Sequence, residues 1–189
     1  LGLGYKKLSE VNPRIIYCSI SGFGQTGPWA DRPGFDQIAQ GMSGLMSVTG
    51  FPQSGPTRAG VAIADSVAGI FAAYGVLAAL LEREKSGLGQ FLETSLLEGL
   101  VAALGFQAAK YFATNETPMP QGNDHATIAP YGTYRTKDGY MNIAAGTQKM
   151  WETLCEVLAM RDSRNDPRIK TIPDRVQNKD ALKTILEEA

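Results

Sequence analysis

The stretch GVAIADSVAGIFAAYGVLAALLEREKSGLGQ, residues Gly60 to Gln90, decides the reading of this chain. One carboxylate, Asp65, stands at the head of a long alanine-rich apolar run, and the next acid is Glu82 in a charged Glu-Arg-Glu-Lys tail. Val67, Ile70, Phe71, Tyr74, Leu77, Leu80 and Leu81 recur at helical spacing. Lys85-Ser86-Gly87 is a helix stop. Ala72, Ala73, Gly75, Ala78 and Ala79 allow close approach of neighbours, so the pattern predicts a helix covered on all sides. Asp65 itself has two compatible readings. As a helix cap, its side chain would accept the first free amide protons. As an ionised carboxylate favoured by the positive end of the helix and set against apolar walls, it would be a usable nucleophile. Composition alone leaves both open.

Working outward toward the N-terminus, Leu3 to Leu8 reads as the end of a helix broken by Asn12-Pro13. Arg14 to Ile20 (RIIYCSI) is β-branched and aromatic, a buried strand. The loop SGFGQTGPWADRPGFDQ follows, long enough to suggest function, then a glycine-interrupted helix over Gln37 to Ser47 and a second loop, TGFPQSGPTRAG. On the other side, Gln90 to Ser95 alternates as a strand and Leu96 to Ala113 is an apolar helix. Asn115 to Asp124 turns polar, with proline and glycine. A domain boundary is placed there, giving domains of residues 1–118 and 119–189. The segment YGTYRTKDGYMNIAA predicts a hairpin around Lys137-Asp138-Gly139. TQKMWETLCEVLAM is a helix capped by Thr147, and the chain finishes on a polar connection and an amphipathic helix.

The 189 residues are 43% hydrophobic and 20% charged, with 18 basic and 19 acidic residues and a net charge of −1. No basic stripe points to nucleic acid and no polybasic block to a membrane surface. The apolar run from Val67 to Leu81 is shorter than the roughly 20 residues a membrane helix needs. Cys18 and Cys155 are far apart, and no metal-ligand spacing is present, so no metal site is expected. A reducing, cytoplasmic location is the default. The chain lacks an initiator Met and opens and closes inside helical patterns, as an internal piece of a longer protein would. Gly22-Phe23-Gly24-Gln25-Thr26-Gly27 matches a dinucleotide fingerprint, but Pro28-Trp29 and Pro33 stand where a helix should open, so a nicotinamide site is disfavoured. His125 reads as a bystander, and Arg14, Arg32 and Arg58 as solvated charges.

Taken together, LGLGYKKLSEVNPRIIYCSISGFGQTGP, GFDQIAQGMSGLMSVTG, IADSVAGIFAAYGVLAALLEREKSGLGQFLETSLLEGL and APYGTYRTKDGYMNIAAGTQKMWETLC resemble the class III coenzyme A transferases, the CaiB/BaiF type. That family includes formyl-CoA transferase, the carnitine CoA-transferases and the α-methylacyl-CoA racemases. The resemblance implies an α/β fold, with part of an open Rossmann-like large domain that binds CoA plus part of a smaller α/β domain, in an interlocked homodimer. It implies that Asp65 is the catalytic aspartate, forming an acyl-aspartyl anhydride and then an aspartyl-CoA thioester as coenzyme A passes from an acyl-CoA to a small carboxylic acid. No metal or redox cofactor would be required. The family's CoA contacts fall on Pro33, Gly34, Phe35 and Asp36. Where the racemases carry a histidine before that aspartate, this chain has Phe35, which disfavours α-proton exchange. The glycine-rich flap of formyl-CoA transferase has no match in MPQGNDHATIAPYG, where Gln121, Asn123 and His125 would shape an acceptor pocket instead. A racemase, or a non-catalytic subunit that retains the fold, is the alternative.

Overall fold

A computed structural model describes residues 2–160 and 162–189, the side chain of Arg164 apart. The chain divides into two compact units, residues 1–120 and 121–189. In the first, the aromatic and β-branched run gives strand β1 (Tyr17–Ser21), which pairs in parallel with β2 (Phe91–Ser95) so that Tyr17 faces Phe91 and Ser21 faces Ser95. Tyr5, on helix α1 (Tyr5–Val11), lays its ring 6.2 Å from that of Tyr17 and 5.8 Å from that of Phe91. Parallel strands need a long crossover. Here it is built from α2 (Asp36–Met42), α3 (Leu45–Val48) and α4 (Ile63–Ser86). After β2 the chain enters α5 (Leu96–Ala103) and α6 (Phe106–Thr114).

Several expectations are corrected here. The first strand starts at Tyr17 rather than Arg14, because residues 13–15 are tied to the end of α4. Gly89 N–H donates to the Pro13 carbonyl at 2.8 Å, and Arg83 donates to the Arg14 carbonyl at 3.1 Å. The helix expected over Gln37 to Ser47 is two helices, split where Gly44 takes φ +87°, and that expected over Leu96 to Ala113 is split at Gly105, φ +52°. Only glycine adopts such angles without strain.

A further correction concerns α4. Its buried residues are all small, namely Ala64, Ala68, Ala72 and Ala79, while Ile70, Phe71, Tyr74, Leu77 and Leu81 are exposed. The helix is therefore covered on one side only. Alanine on that side lets α4 lie close to β1, β2, α2 and α5. Its 24 residues are also long and apolar enough to cross a membrane by length and composition, contrary to the reading of the shorter run. It stops at Gly87, φ +73°.

The core of the first unit joins α2, α4 and α5. Ala39, Ala64, Ala68, Leu96 and Leu100 are buried together, with Leu45, Ile63 and Val67 packed around them. This cluster lies under the first turns of α4 and fixes where that helix begins.

In the second unit, β3 (Tyr131–Arg135) and β4 (Tyr140–Ala144) form the antiparallel hairpin around Lys137-Asp138-Gly139, closed by Thr136 N–H donating to the Gly139 carbonyl at 2.9 Å. Helix α7 (Gln148–Val157) is capped by Thr147, whose hydroxyl accepts the Met150 amide proton at 3.2 Å. The last helical segment is two helices, α8 (Ile172–Gln177) and α9 (Lys179–Glu188). Trp151, Cys155, Ile169, Leu182 and Leu186 close on Ala129, Tyr134 and Met160. Arg175 is fully buried beside them. Its guanidinium donates to the carbonyls of Ala129, Ile169 and Lys170 and to Gln148 Oε1, and lies 5.0 Å over the Trp151 ring. Burial pulls its pKa below the usual arginine value. Hydrogen bonds to four oxygens offset the cost of burying that charge.

Candidate active site

Asp65 is the third residue of α4, not its cap. The cap position is Ala62, which has no side chain able to serve. The carboxylate that does serve comes from another helix. Asp36, the first residue of α2, accepts the Ala64 amide proton on Oδ1 at 2.8 Å. Its second oxygen, Oδ2, accepts from Gln40 Nε2 at 2.7 Å. Gln40 is itself fully buried. Its Oε1 accepts the Ala59 amide proton at 2.8 Å, and its Nε2 also donates to the Val61 carbonyl at 3.3 Å. Ala59 can only donate here, which fixes which end of the amide faces it.

With the cap supplied by Asp36, the carboxylate of Asp65 is left uncommitted. It is exposed, and among the described residues no hydrogen bond or ion pair engages it. The desolvated setting expected from the apolar run is absent: Asp65 and Ser66 are exposed, while Ile63 and Val67, two residues to either side of Asp65, pack into the core with the buried Ala64. What the position does supply is the helix dipole. In the first turn Asp65 lies at the positive end of that dipole, and the amides ahead of it, of Ile63 and Ala64, are already bonded to the Val61 carbonyl and to Asp36. The result is an accessible carboxylate on a rigidly held turn.

The loop between β1 and α2 runs past the same helix start. Gly22 and Gly34 touch backbone to backbone, so that a Cβ on Gly22 would lie 2.5 Å from the Gly34 Cα. Neither position admits a side chain unless the two segments part. Leu97, in the first turn of α5, donates its N–H to the Gly22 carbonyl at 3.2 Å, and Ser21 Oγ accepts from Gly24 at 3.0 Å. Phe23 meets Trp29 edge to face at 5.4 Å, and Arg32 lies 5.2 Å over the Trp29 ring. The loop is therefore a closed, pinned structure with no helix directly after the strand. It brings Pro33 and Phe35 to the surface with Gly34 half-buried between them, and Phe35 is 72% exposed. Asp36 follows, with both oxygens engaged by the protein itself. The structure thus brings Gly34, Asp36 and the start of α4 together, and makes Asp36 a tether.

The remaining candidates have local roles. Arg14 donates to the Gly87 carbonyl at 3.3 Å and pairs with Glu84 at 3.8 Å. Arg58 is exposed beside the tethered Ala59. Gln121, Asn123 and His125 belong to the second unit, where His125 Nδ1 accepts the Thr127 amide proton at 3.2 Å and its ring lies 5.0 Å from that of Tyr131. Among the described residues no group of three or more His, Cys, Asp or Glu is gathered as a metal site would be. Sequence reasoning missed Gln40 altogether. A glutamine in an apolar helix is a weak signal until its partners, about 20 residues on, are seen.

This fold and helix start place the chain among known proteins. It belongs to CoA-transferase family III, which it matches over residues 1–189. It is similar to the succinyl-CoA:glutarate CoA-transferase of Mus musculus, with 41% identity over 186 residues, covering 98% of this chain and 43% of the mouse protein. It shares 40% identity over 190 residues with the acetyl-CoA:oxalate CoA-transferase of Acetobacter aceti, covering 100% of this chain and 49% of that protein. Its fold matches the crystal structure of a CaiB/BaiF family protein from Brucella suis with a TM-score of 0.84 and 41% identity, over 99% of this chain and 50% of that one. The chain spans about half the length of these relatives.

Proposed function

We propose that the protein moves coenzyme A between carboxylic acids, with Asp65 as nucleophile. The observation that carries this reading is the uncommitted carboxylate of Asp65 on a helix start whose capping is done by Asp36. The two relatives named above, both CoA-transferases by name, support it.

The chemistry runs through four exchanges. An oxygen of Asp65 attacks the thioester carbonyl of the donor, the C–S bond breaks, and CoA leaves as thiolate from a mixed anhydride. The thiolate attacks the Asp65 carbonyl, and the donor acid leaves as carboxylate, giving an aspartyl-CoA thioester. The acceptor carboxylate then attacks that carbonyl and expels the thiolate. Finally the thiolate attacks the acceptor's acyl carbon, releasing new acyl-CoA and the Asp65 carboxylate. Every intermediate keeps an activated acyl bond, and each thiolate expelled is consumed in the next step. Pro33, Gly34 and Phe35 form part of the wall against which CoA lies, and Asp36 holds that wall to α4. The acceptor is a small carboxylic acid, and the full-length protein is an interlocked homodimer.

Hydroxylamine trapping tests reaction class and nucleophile together. Incubation of the full-length protein with acyl-CoA and hydroxylamine should leave a hydroxamate on Asp65, found by peptide mass analysis. Asp65→Ala should abolish transfer while changing stability by no more than about 1 kcal/mol, the scale of a dipole contact in the first turn. Transfer at the wild-type rate in Asp65→Ala rules the reading out.

A further inference from the structure

Gln40 is a fully buried amide in α2. It stands next to Ala39 of the first core in sequence, on a helix that packs against α4 and α5. Burying an amide without partners is costly, so such groups persist only where their hydrogen bonds are made. Its side-chain bonds go to the segment that delivers Asp65 and to Asp36, which ties that segment down. One holds Ala59, one holds Val61, and the third orients Asp36, which in turn holds Ala64. The backbone is thus fixed at three points over the six residues before the proposed nucleophile, and two of them depend directly on one side chain.

We propose that Gln40 is a positioning residue for the Asp65 carboxylate, acting through Asp36 and the Ala59–Ala64 backbone. This rests on the reading of Asp65 as nucleophile. Gln40 itself touches neither substrate nor the reacting atoms. Its contribution is geometric: a reacting group displaced by about 1 Å loses on the order of 10²-fold in rate.

The test uses Gln40→Leu, Gln40→Glu and Asp65→Ala in the full-length protein, assayed for CoA transfer. Gln40→Leu fills the space but holds nothing. Its kcat should fall about 10²-fold while the KM for acyl-CoA stays unchanged, as expected when an interaction felt only in the transition state is lost. Gln40→Glu is the sharper probe. It keeps an acceptor for Ala59 but sets a second carboxylate against Asp36 Oδ2, where Gln40 Nε2 now lies at 2.7 Å. Two carboxylates this close share a proton, and the pair's upper pKa rises. Protonated, Glu still donates to Asp36; ionised, it repels it. The ratio of Gln40→Glu to wild-type turnover should therefore be low at neutral pH and climb as pH falls through the pair's upper value. Other titratable groups on the packed elements, Asp65, Tyr74, Glu82, Arg83, Glu84 and Lys85 in α4 and Glu98 in α5, are common to both proteins and cancel in the ratio. Glu98 is engaged by the Ser95 hydroxyl at 2.8 Å, and α3 carries no such group.

A role confined to stability would lower the melting temperature and leave this ratio flat in the folded enzyme. A flat ratio, or wild-type kcat in folded Gln40→Leu, overturns the assignment. If Gln40→Leu does not fold, the pH ratio of Gln40→Glu decides alone. Asp65→Ala separates the two layers. Transfer that persists in it overturns the nucleophile reading and this one together. Loss there, alongside wild-type turnover in the Gln40 variants, overturns only the role of Gln40.

Discussion

Replacing Asp36 by alanine removes at one stroke the acceptor for the Ala64 amide proton and one of the two acceptors of the buried Gln40 amide. Leaving such groups unpaired costs about 1–3 kcal/mol. Asp36→Ala should therefore lower the denaturant midpoint clearly, while the exposed Asp65, with no partner to lose, should tolerate the same change. Equal midpoints for Asp36→Ala and wild type would show that the tether carries no stability. The contrast explains what could be read at this scale and what could not. Asp65 was visible because a lone acid before an apolar run has few local meanings. That it is not the cap was invisible, because the cap arrives from Asp36, 29 positions earlier by sequence number. Local signals describe caps that come from the helix's own first residues. A cap supplied from a different helix leaves no trace at the helix start, where Ala62 simply looks unsuited.

At the scale of elements, the clearest case for a pH effect is α8, which starts with a reciprocal capping box. Thr171 accepts the Asp174 amide proton on its hydroxyl, while its own hydroxyl and backbone N–H donate to the Asp174 carboxylate. These bonds favour the ionised acid and hold the Asp174 pKa below its ordinary 3.8, the hydroxyl most strongly. A lowered pKa in the folded state means stability that is complete above the unfolded value and is lost as pH falls through the folded one. The second unit should thus lose stability on acidification below about pH 4, and Asp174→Asn should lose less over the same range. Asp166, held low by Arg168, acts with the same sign in both proteins and leaves the difference intact. Melting curves at successive pH values measure it, and parallel acid losses in the two proteins would refute the assignment. The helix itself fell inside a segment read as a polar connection, since six residues give too short a period to recognise. Longer elements were legible: the hairpin from its Asp138-Gly139 turn, α7 from Thr147, and α4 from the spacing of its large residues. The breaks at Gly44 and Gly105 were not, because a glycine inside an apolar helical pattern is tolerated as often as it interrupts.

The molecule as a whole is organised by the two faces of α4. Ala64, Ala68, Ala72 and Ala79 face inward, and Ile70, Tyr74, Leu77 and Leu81 form a stripe at intervals of four, three and four residues on the other side. A helix apolar on both faces gives no periodic hint of which one the chain covers, so the sequence pattern predicted full burial where only the small side is packed. In the chain of residues 1–189, Tyr74 is 67% exposed, Leu77 57% and Leu81 71%, joined nearby in sequence by the exposed Ile70 and Phe71. Contiguous apolar surface of this kind is uncommon on a protein that stays monomeric. Taken alone, these 189 residues are therefore expected to self-associate at micromolar concentration and to bind a hydrophobic dye. Because the side chains already lie in solvent, Tyr74→Lys combined with Leu81→Glu should cost little stability, within about 0.5 kcal/mol per site, yet shift the sedimentation profile toward monomer and dim the dye. Such a double variant separates a surface that seeks cover from a helix that is merely loosely packed. A loosely packed helix would lose melting temperature on substitution and keep its association. A wild-type chain that sediments as a monomer across the micromolar range, with no dye bound, would show that the exposed stripe of α4 is tolerated in water and needs no covering element.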